Sequence, residues 1–260
     1  MFIGVDIGNT HIVAGIYDRD KILTSWRFAT DTQKTDDEYM ALLGQLMEFD
    51  GVSATDIDEM AIGSVVPLLT RVWHQMGRRY FNIEPLIIDC RTNTGMPILV
   101  DFPTEVGADR IINSVAAFNI YRQPMIVVDF GTATTFDCVS AAGEYLGGAI
   151  APGIEISRQA LFSHAARLSS VPMFRPKRAI GRNTAESLQS GLLWGFAGQV
   201  DNIVRLQKKE LSGNVKVIAT GGLAQFISEF SETIEEVDHD LTLKGLRYVY
   251  LRNDPKYKNR

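Results

Sequence analysis

An apolar, largely β-branched run, Met125–Val128, ends on Asp129, Phe130 and Gly131. The hydroxyls of Thr132, Thr134 and Thr135 follow, and apolar residues resume at Phe136. Such a run fills a buried strand, and a glycine among polar residues turns the chain back. The same order occurs near the N-terminus: Phe2–Val5, then Asp6, Gly8, Asn9 and Thr10, then the return run Ile12–Ile16. Asp6 and Gly8 fall on Asp129 and Gly131 at one offset, with Asn9 on Thr132. A plain β-hairpin accounts for either tip alone, but it does not need an acid, a glycine and a polar residue in register. The repeat predicts an internally duplicated fold whose two tips face one ligand across a cleft. Small residues at a tip let backbone N–H groups approach a phosphate, and a carboxylate beside that phosphate calls for a cation between them.

Between and beyond the tips, strands and helices alternate. Lys21–Ala29 is a third strand. Thr35–Phe49 places Tyr39, Leu42, Leu43, Leu46 and Met47 at helical spacing, with Asp36, Asp37 and Glu38 at the positive end of the helix dipole. Short strands are expected at Met60–Gly63 and Leu86–Ile88, around a helix Pro67–Tyr80 whose proline suits a first turn. Thr92–Pro103 reads as an irregular connection. Ile111–Tyr121 is helical, with Asp109 in its first turn. There Asp109 either complements the dipole, with Arg110 as a surface partner, or both face a ligand as a base and an anion-binding guanidinium.

After the second tip come a strand Glu144–Ala151, punctuated by Gly147 and Gly148, and a helix Gly153–Ala166. Arg182–Lys209 is the longest helical pattern, with Asn183 and Glu186 at capping-box spacing. Its expected buried stripe is Ala185, Leu188, Leu192, Phe196, Val200, Ile203 and Leu206. Gly191, Gly195 and Gly198 inside it predict close packing against another backbone. Val215–Ala219 is a strand, and Thr220–Gly222 opens a helix to Phe230; that glycine turn either serves a base or phosphate or is simply tight. Leu241–Tyr250 is the last helix, before a basic tail Arg252–Arg260 that is expected to fray. This alternation after an opening meander gives an α/β architecture.

Composition narrows the function classes. A hydrophobic fraction of 45% over 260 residues supports a packed core. The net charge of −5 does not favour nucleic acid, although Arg175–Arg182 is a local basic patch. Cys90 and Cys138 lack metal-ligand or paired-redox spacing, and the scattered His11, His74, His164 and His239 make no metal cluster. No run is long enough to span a membrane, and the N-terminus reads as a strand rather than a signal sequence. A cytoplasmic protein without nucleic-acid or membrane partners is expected.

DIGNTH at Asp6–His11, DFGTATT at Asp129–Thr135 and TGGLA at Thr220–Ala224 resemble the two phosphate loops and the adenosine loop of the acetate kinase, sugar kinase, Hsp70 and actin superfamily. With GADR at Gly107–Arg110 they closely resemble the type III pantothenate kinases, over essentially the whole chain. The resemblance implies a duplicated actin-like (ribonuclease H-like) α/β fold: two halves with mixed sheets around a central cleft, roughly residues 1–118 and 119–260, with ATP between them. It implies ATP-dependent phosphorylation of pantothenate and a homodimer whose long helices pack together and complete the pantothenate pocket.

Site residues are implied in the same way. Asp109 takes the hydroxyl proton and Arg110 holds the pantothenate carboxylate, with Gly107, Ala108 and Thr184 as further substrate contacts. Gly8, Asn9, Thr10, His11, Gly131 and Thr132 meet the phosphates, and Gly221 and Gly222 border the adenine. Asp6 organises Mg²⁺ through water, and Asp129 holds a monovalent cation, potassium or ammonium. One position departs from the family: Val100 stands where a tyrosine is usual, which implies a rebuilt pocket wall that draws on Phe102. A different kinase or ATPase of the superfamily would keep the loops without needing GADR. A non-catalytic relative would be expected to lose Asp6, Asp109 or Asp129, and all three are present.

Overall fold

The computed structural model describes residues 1–164 and 171–257. Two compact units emerge: Met1–Met96 with Asp101–Asn119 and Asp240–Arg260, and Pro97–Val100 with Ile120–His239.

The first unit is built on a five-stranded sheet of β1 (Phe2–Ile7), β2 (His11–Asp18), β3 (Lys21–Ala29), β4 (Glu59–Ser64) and β5 (Leu86–Ile88), in the order β3-β2-β1-β4-β5. β1 runs antiparallel to β2 and parallel to β4, so the opening meander continues into a crossover half-sheet. α1 (Asp36–Phe49) and α2 (Pro67–Tyr80) cover one face. Tyr39, Leu43 and Met47 of α1 and Leu69, Trp73 and Met76 of α2 bury against Ile3, Val5, Ile7 and Ile62. Thr35 starts α1 with a full capping box: its side chain accepts from Glu38 N–H and the Glu38 carboxylate accepts from Thr35 N–H.

The other face is paved with glycine. Gly4 pairs with Gly15 across β1 and β2, and Gly63 lies on β4. A methyl group on Gly15 would meet Leu243 Cδ1 at 2.5 Å, and one on Gly63 would meet Ile112 Cδ1 at 2.5 Å. Those contacts come from the C-terminal helix Leu241–Asn253 and from α3 (Ala108–Tyr121). The last helix, expected in the second half, therefore belongs to the first unit, because this smooth face accepts it. Its Thr242 hydroxyl donates to Asn113 of α3 at 2.8 Å, and its Arg247 reaches the buried Glu59 at 2.7 Å.

The second unit repeats the plan with β6 (Met125–Phe130), β7 (Ala133–Val139), β8 (Tyr145–Pro152), β9 (Lys216–Gly221) and β10 (Glu236–Val237), in the order β10-β9-β6-β7-β8. Antiparallel β6–β7–β8 and parallel β6–β9 reproduce the pairings of the first sheet, as the sequence repeat predicts. α4 (Ile154–His164), α5 (Thr184–Glu210) and α6 (Ala224–Ser228) complete it. The expected helix Gly153–Ala166 extends past the described residues at its end, as does the basic tail.

Two expectations for this unit are corrected, and a third is bounded. The buried seam of α5 is Leu193, Ala197, Val200 and Val204; of the expected stripe Val200 is buried, while Leu192, Phe196 and Ile203 are only half-buried. Apolar residues wrap around this helix, and packing selected the neighbouring seam. The capping box is incomplete: Asn183 accepts from Glu186 N–H, but the Glu186 carboxylate turns to Arg182 N–H instead. A methyl group placed on Gly191, Gly195 or Gly198 would find nothing within 4 Å, so within the described residues of this chain they meet no other backbone.

Candidate active site

Each sheet carries a tip at the C-terminal end of its central strand, where parallel α/β sheets bind ligands. In the first unit Asp6 lies one residue before the end of β1, half-buried, beside Val13 and Gly63. The tip spans Gly8 to His11 and is closed by Gly8 N–H donating to His11 O at 3.0 Å. Thr30 braces it twice: its hydroxyl donates to Gly8 O at 2.6 Å and its N–H to Thr10 O at 3.0 Å. Thr30 was not legible as a site residue, since its role depends on β3 ending beside the tip. Asn9, Thr10 and His11 are exposed.

The second tip is one residue shorter, closed by Gly131 N–H donating to Ala133 O at 3.1 Å. Gly153, just before α4, presses on the carbonyls of Thr132 and Gly131, where any side chain would collide. Asp129 pairs across the sheet with Thr135 and Thr220. Its Oδ1 lies 2.5 Å from where a Gly221 methyl would stand and 3.8 Å from that of Gly131. The carboxylate is thus cradled by two glycines, and Gly221, at φ +91°, is held to glycine by backbone conformation as well. Thr220 and Gly221 close β9 rather than open a helix; only the short α6 follows, after Gly222.

Asp109 and Arg110 lie in the first turn of α3, both half-buried. Asp109 Oδ1 accepts from Arg110 N–H at 2.8 Å and stands 2.5 Å from a methyl built on Gly107, so a side chain at 107 would push the Asp109 carboxylate aside. Burial pushes the Asp109 carboxyl above its ordinary value of 3.8, against the opposing pull of the Arg110 amide and guanidinium. Gly107 also approaches Val65, which follows β4 and donates its N–H to Ile7 O at 3.0 Å. The structure thereby places Asp109 and the Asp6 tip around the same strand ends of one unit.

Of the remaining expected residues, Ala108 is buried at the head of α3 and Thr184 is the exposed first residue of α5. Val100 is half-buried in the second unit, its Cγ1 3.4 Å from a methyl built on Gly147, while Phe102 is 66% exposed. Among the described residues no three His, Cys, Asp or Glu side chains gather to hold a metal ion, and no helix is long and apolar enough to cross a membrane.

The profile of the family described as type III pantothenate kinase matches residues 2–206. A type III pantothenate kinase of Citrifermentans bemidjiense is 51% identical over 97% of this chain and 100% of its own length. That of Moorella thermoacetica is 49% identical over 97% and 100%. Among solved structures, the activator of the 2-hydroxyisocaproyl-CoA dehydratase from Clostridium difficile, with bound ADPNP, superposes with a TM-score of 0.58. It covers 99% of this chain and 96% of that one at 13% identity. That likeness, together with the repeated sheet, identifies the fold as the duplicated actin-like one.

Proposed function

This chain belongs to the type III pantothenate kinase family, and from that premise we infer that it moves the γ-phosphoryl group of ATP to the primary hydroxyl of pantothenate. The products are ADP and 4′-phosphopantothenate, the first step of coenzyme A biosynthesis. The hydroxyl oxygen forms the new bond to phosphorus, the bond to the β–γ bridging oxygen breaks, and ADP departs with that electron pair. The hydroxyl proton goes to Asp109.

The observation that carries this reading is Asp109 itself. A carboxylate raised by burial is a stronger base than an exposed one, and its place beside the Asp6 tip suits an acceptor brought to a phosphate. Arg110, next along the same turn, holds the carboxylate of pantothenate. Gly107 and Ala108 let the acceptor approach the turn, and Thr184 and Val100 are further acceptor contacts. Gly8, Asn9, Thr10, His11, Gly131 and Thr132 bind phosphate oxygens, and Gly221 and Gly222 border the adenine. Loose phosphoryl transfer depends mainly on such alignment and on charge neutralisation.

Asp6 would help to hold the Mg²⁺ that accompanies ATP, and the ion would supply charge neutralisation of the phosphates. Asp129 Oδ1 and the Phe130 carbonyl oxygen both lie close to the side-chain position that Gly221 leaves empty, an all-oxygen donor set that would suit a monovalent cation, potassium or ammonium. When bound, that ion offsets the repulsion between a carboxylate and a phosphate. Gly191, Gly195 and Gly198 line an open face of α5, and Ile156 of α4 and Trp194 of α5 are 45% and 43% exposed. These features support a homodimer in which a second copy covers α5 and completes the acceptor pocket. The enzyme works in the cytoplasm on soluble substrates.

Coupled ADP release with and without pantothenate tests the reading. ADP formation should require pantothenate and yield one phosphorylated product per turnover; pantothenate-independent release, or none, would overturn it.

A further inference from the structure

Asp137 is fully buried in β7, where an apolar residue would pack without penalty. A buried carboxylate is costly unless it is hydrogen-bonded, so its partners indicate what it is for. The Tyr145 hydroxyl donates to Asp137 Oδ1 at 2.8 Å, and the Thr135 hydroxyl to Oδ2 at 3.1 Å. Thr135 is the cross-strand neighbour of Asp129. Tyr145, also fully buried, reaches Asp137 because β7 and β8 slip register between Cys138 and Val139. Gly147 pairs with Cys138 but Tyr145 pairs with Val139, so Leu146 is the extra residue of a bulge. Without that slip Tyr145 would face the opposite side of the sheet, since a one-residue shift exchanges faces.

The backbone of Tyr145 has a second task. Its N–H donates to Pro97 O at 2.8 Å, and Leu99 N–H donates to its carbonyl at 2.8 Å, docking Pro97–Val100 as a parallel bridge through Ile98. Val100 then rests beside Gly147, whose φ of +98° and missing side chain make the space. Bulge, tyrosine and buried acid together hold one short segment.

We propose that Asp137 is a positioning residue for the acceptor side of the reaction: it fixes Tyr145, and Tyr145 fixes the Pro97–Val100 segment that presents Val100. The inference rests on the functional reading above, in which Val100 contacts pantothenate. Asp137 touches no substrate. Its contribution is to keep the pocket wall in place before the acceptor arrives, which lowers the cost of binding.

The test is steady-state kinetics on Tyr145→Phe, Asp137→Asn and the double variant, with melting temperatures measured alongside. Tyr145→Phe removes one hydroxyl and keeps the ring, so the test does not depend on Asp137→Asn folding. Loss of the Tyr145–Asp137 hydrogen bond should raise the KM for pantothenate about three- to tenfold. The KM for ATP and kcat should stay within about twofold of wild type. Where Asp137→Asn folds, the double variant should be no worse than the worse single one, because both act through one bond. A merely structural role would lower the melting temperature and the active fraction while leaving the pantothenate KM unchanged. That result in Tyr145→Phe, beside a wild type that turns over, overturns this inference alone. A wild type without pantothenate-dependent ADP release overturns the functional reading together with the inference that rests on it.

Discussion

Asp109 is where one residue's environment decides most about function. As the base it must be ionised, and burial raises its pKa above 3.8, so the acid limb of kcat/KM should lie above the range of an ordinary aspartate. The sign for stability is opposite to that of a salt-bridged acid. The folded state holds this proton more tightly than the unfolded chain, so stability present below 3.8 declines as pH rises through the folded-state value. Asp109→Asn should therefore cut turnover by about two to four orders of magnitude while, at neutral pH, melting no lower than wild type. Undiminished turnover with a loss of about 1 kcal/mol would mark a helix-end residue and nothing more. Asp129 makes a separate prediction. At constant ionic strength, activity should require potassium or ammonium, with sodium a poor substitute, and Asp129→Asn should weaken that dependence and raise the KM for ATP. Equal rates when potassium is replaced by a large organic cation, in protein stripped of ammonium, would exclude a cation role for Asp129.

At the scale of elements, the bounds of α1, α2 and β3 were legible, α1 from its helical stripe, α2 from Pro67 in a first turn and β3 from its alternation, although Leu42 of the α1 stripe is exposed. The two tips were legible because acid, glycine and polar residue recur in register. α5 was legible in length but not in rotation: leucines at 192 and 193 offer two seams, and only the tertiary neighbours choose between them. The brace from Thr30 left no local signal, and Gly147 and Gly148 marked an interrupted strand without showing a bulge at Leu146, since each feature is defined by a partner strand. Gly195 allows the open α5 face to be tested. A glutamate there should favour the isolated helix by up to about 1 kcal/mol, from propensity. If a second copy covers that face, Gly195→Glu should nevertheless sediment as a monomer and lose pantothenate turnover. A dimer of unchanged affinity would remove α5 from the interface.

At the scale of the whole molecule, the duplication fixes two sheets of the same order, and the glycine face of the first determines where the C-terminal helix goes. Gly15→Val should force Leu243 aside and cost about 1–3 kcal/mol, read as a lower urea midpoint, while Ser25→Ala, in half-exposed β3, serves as a control near zero. The return of that helix also has a consequence for synthesis. Most of the second unit is a continuous stretch, Ile120–His239, whereas the first draws on Asp240 onward. On the ribosome, the opening meander emerges first yet must wait, its glycine face bare, until more than a hundred further residues have been translated. The later-made unit can thus finish folding before the earlier one, and the nascent chain carries an unfinished sheet through most of its elongation.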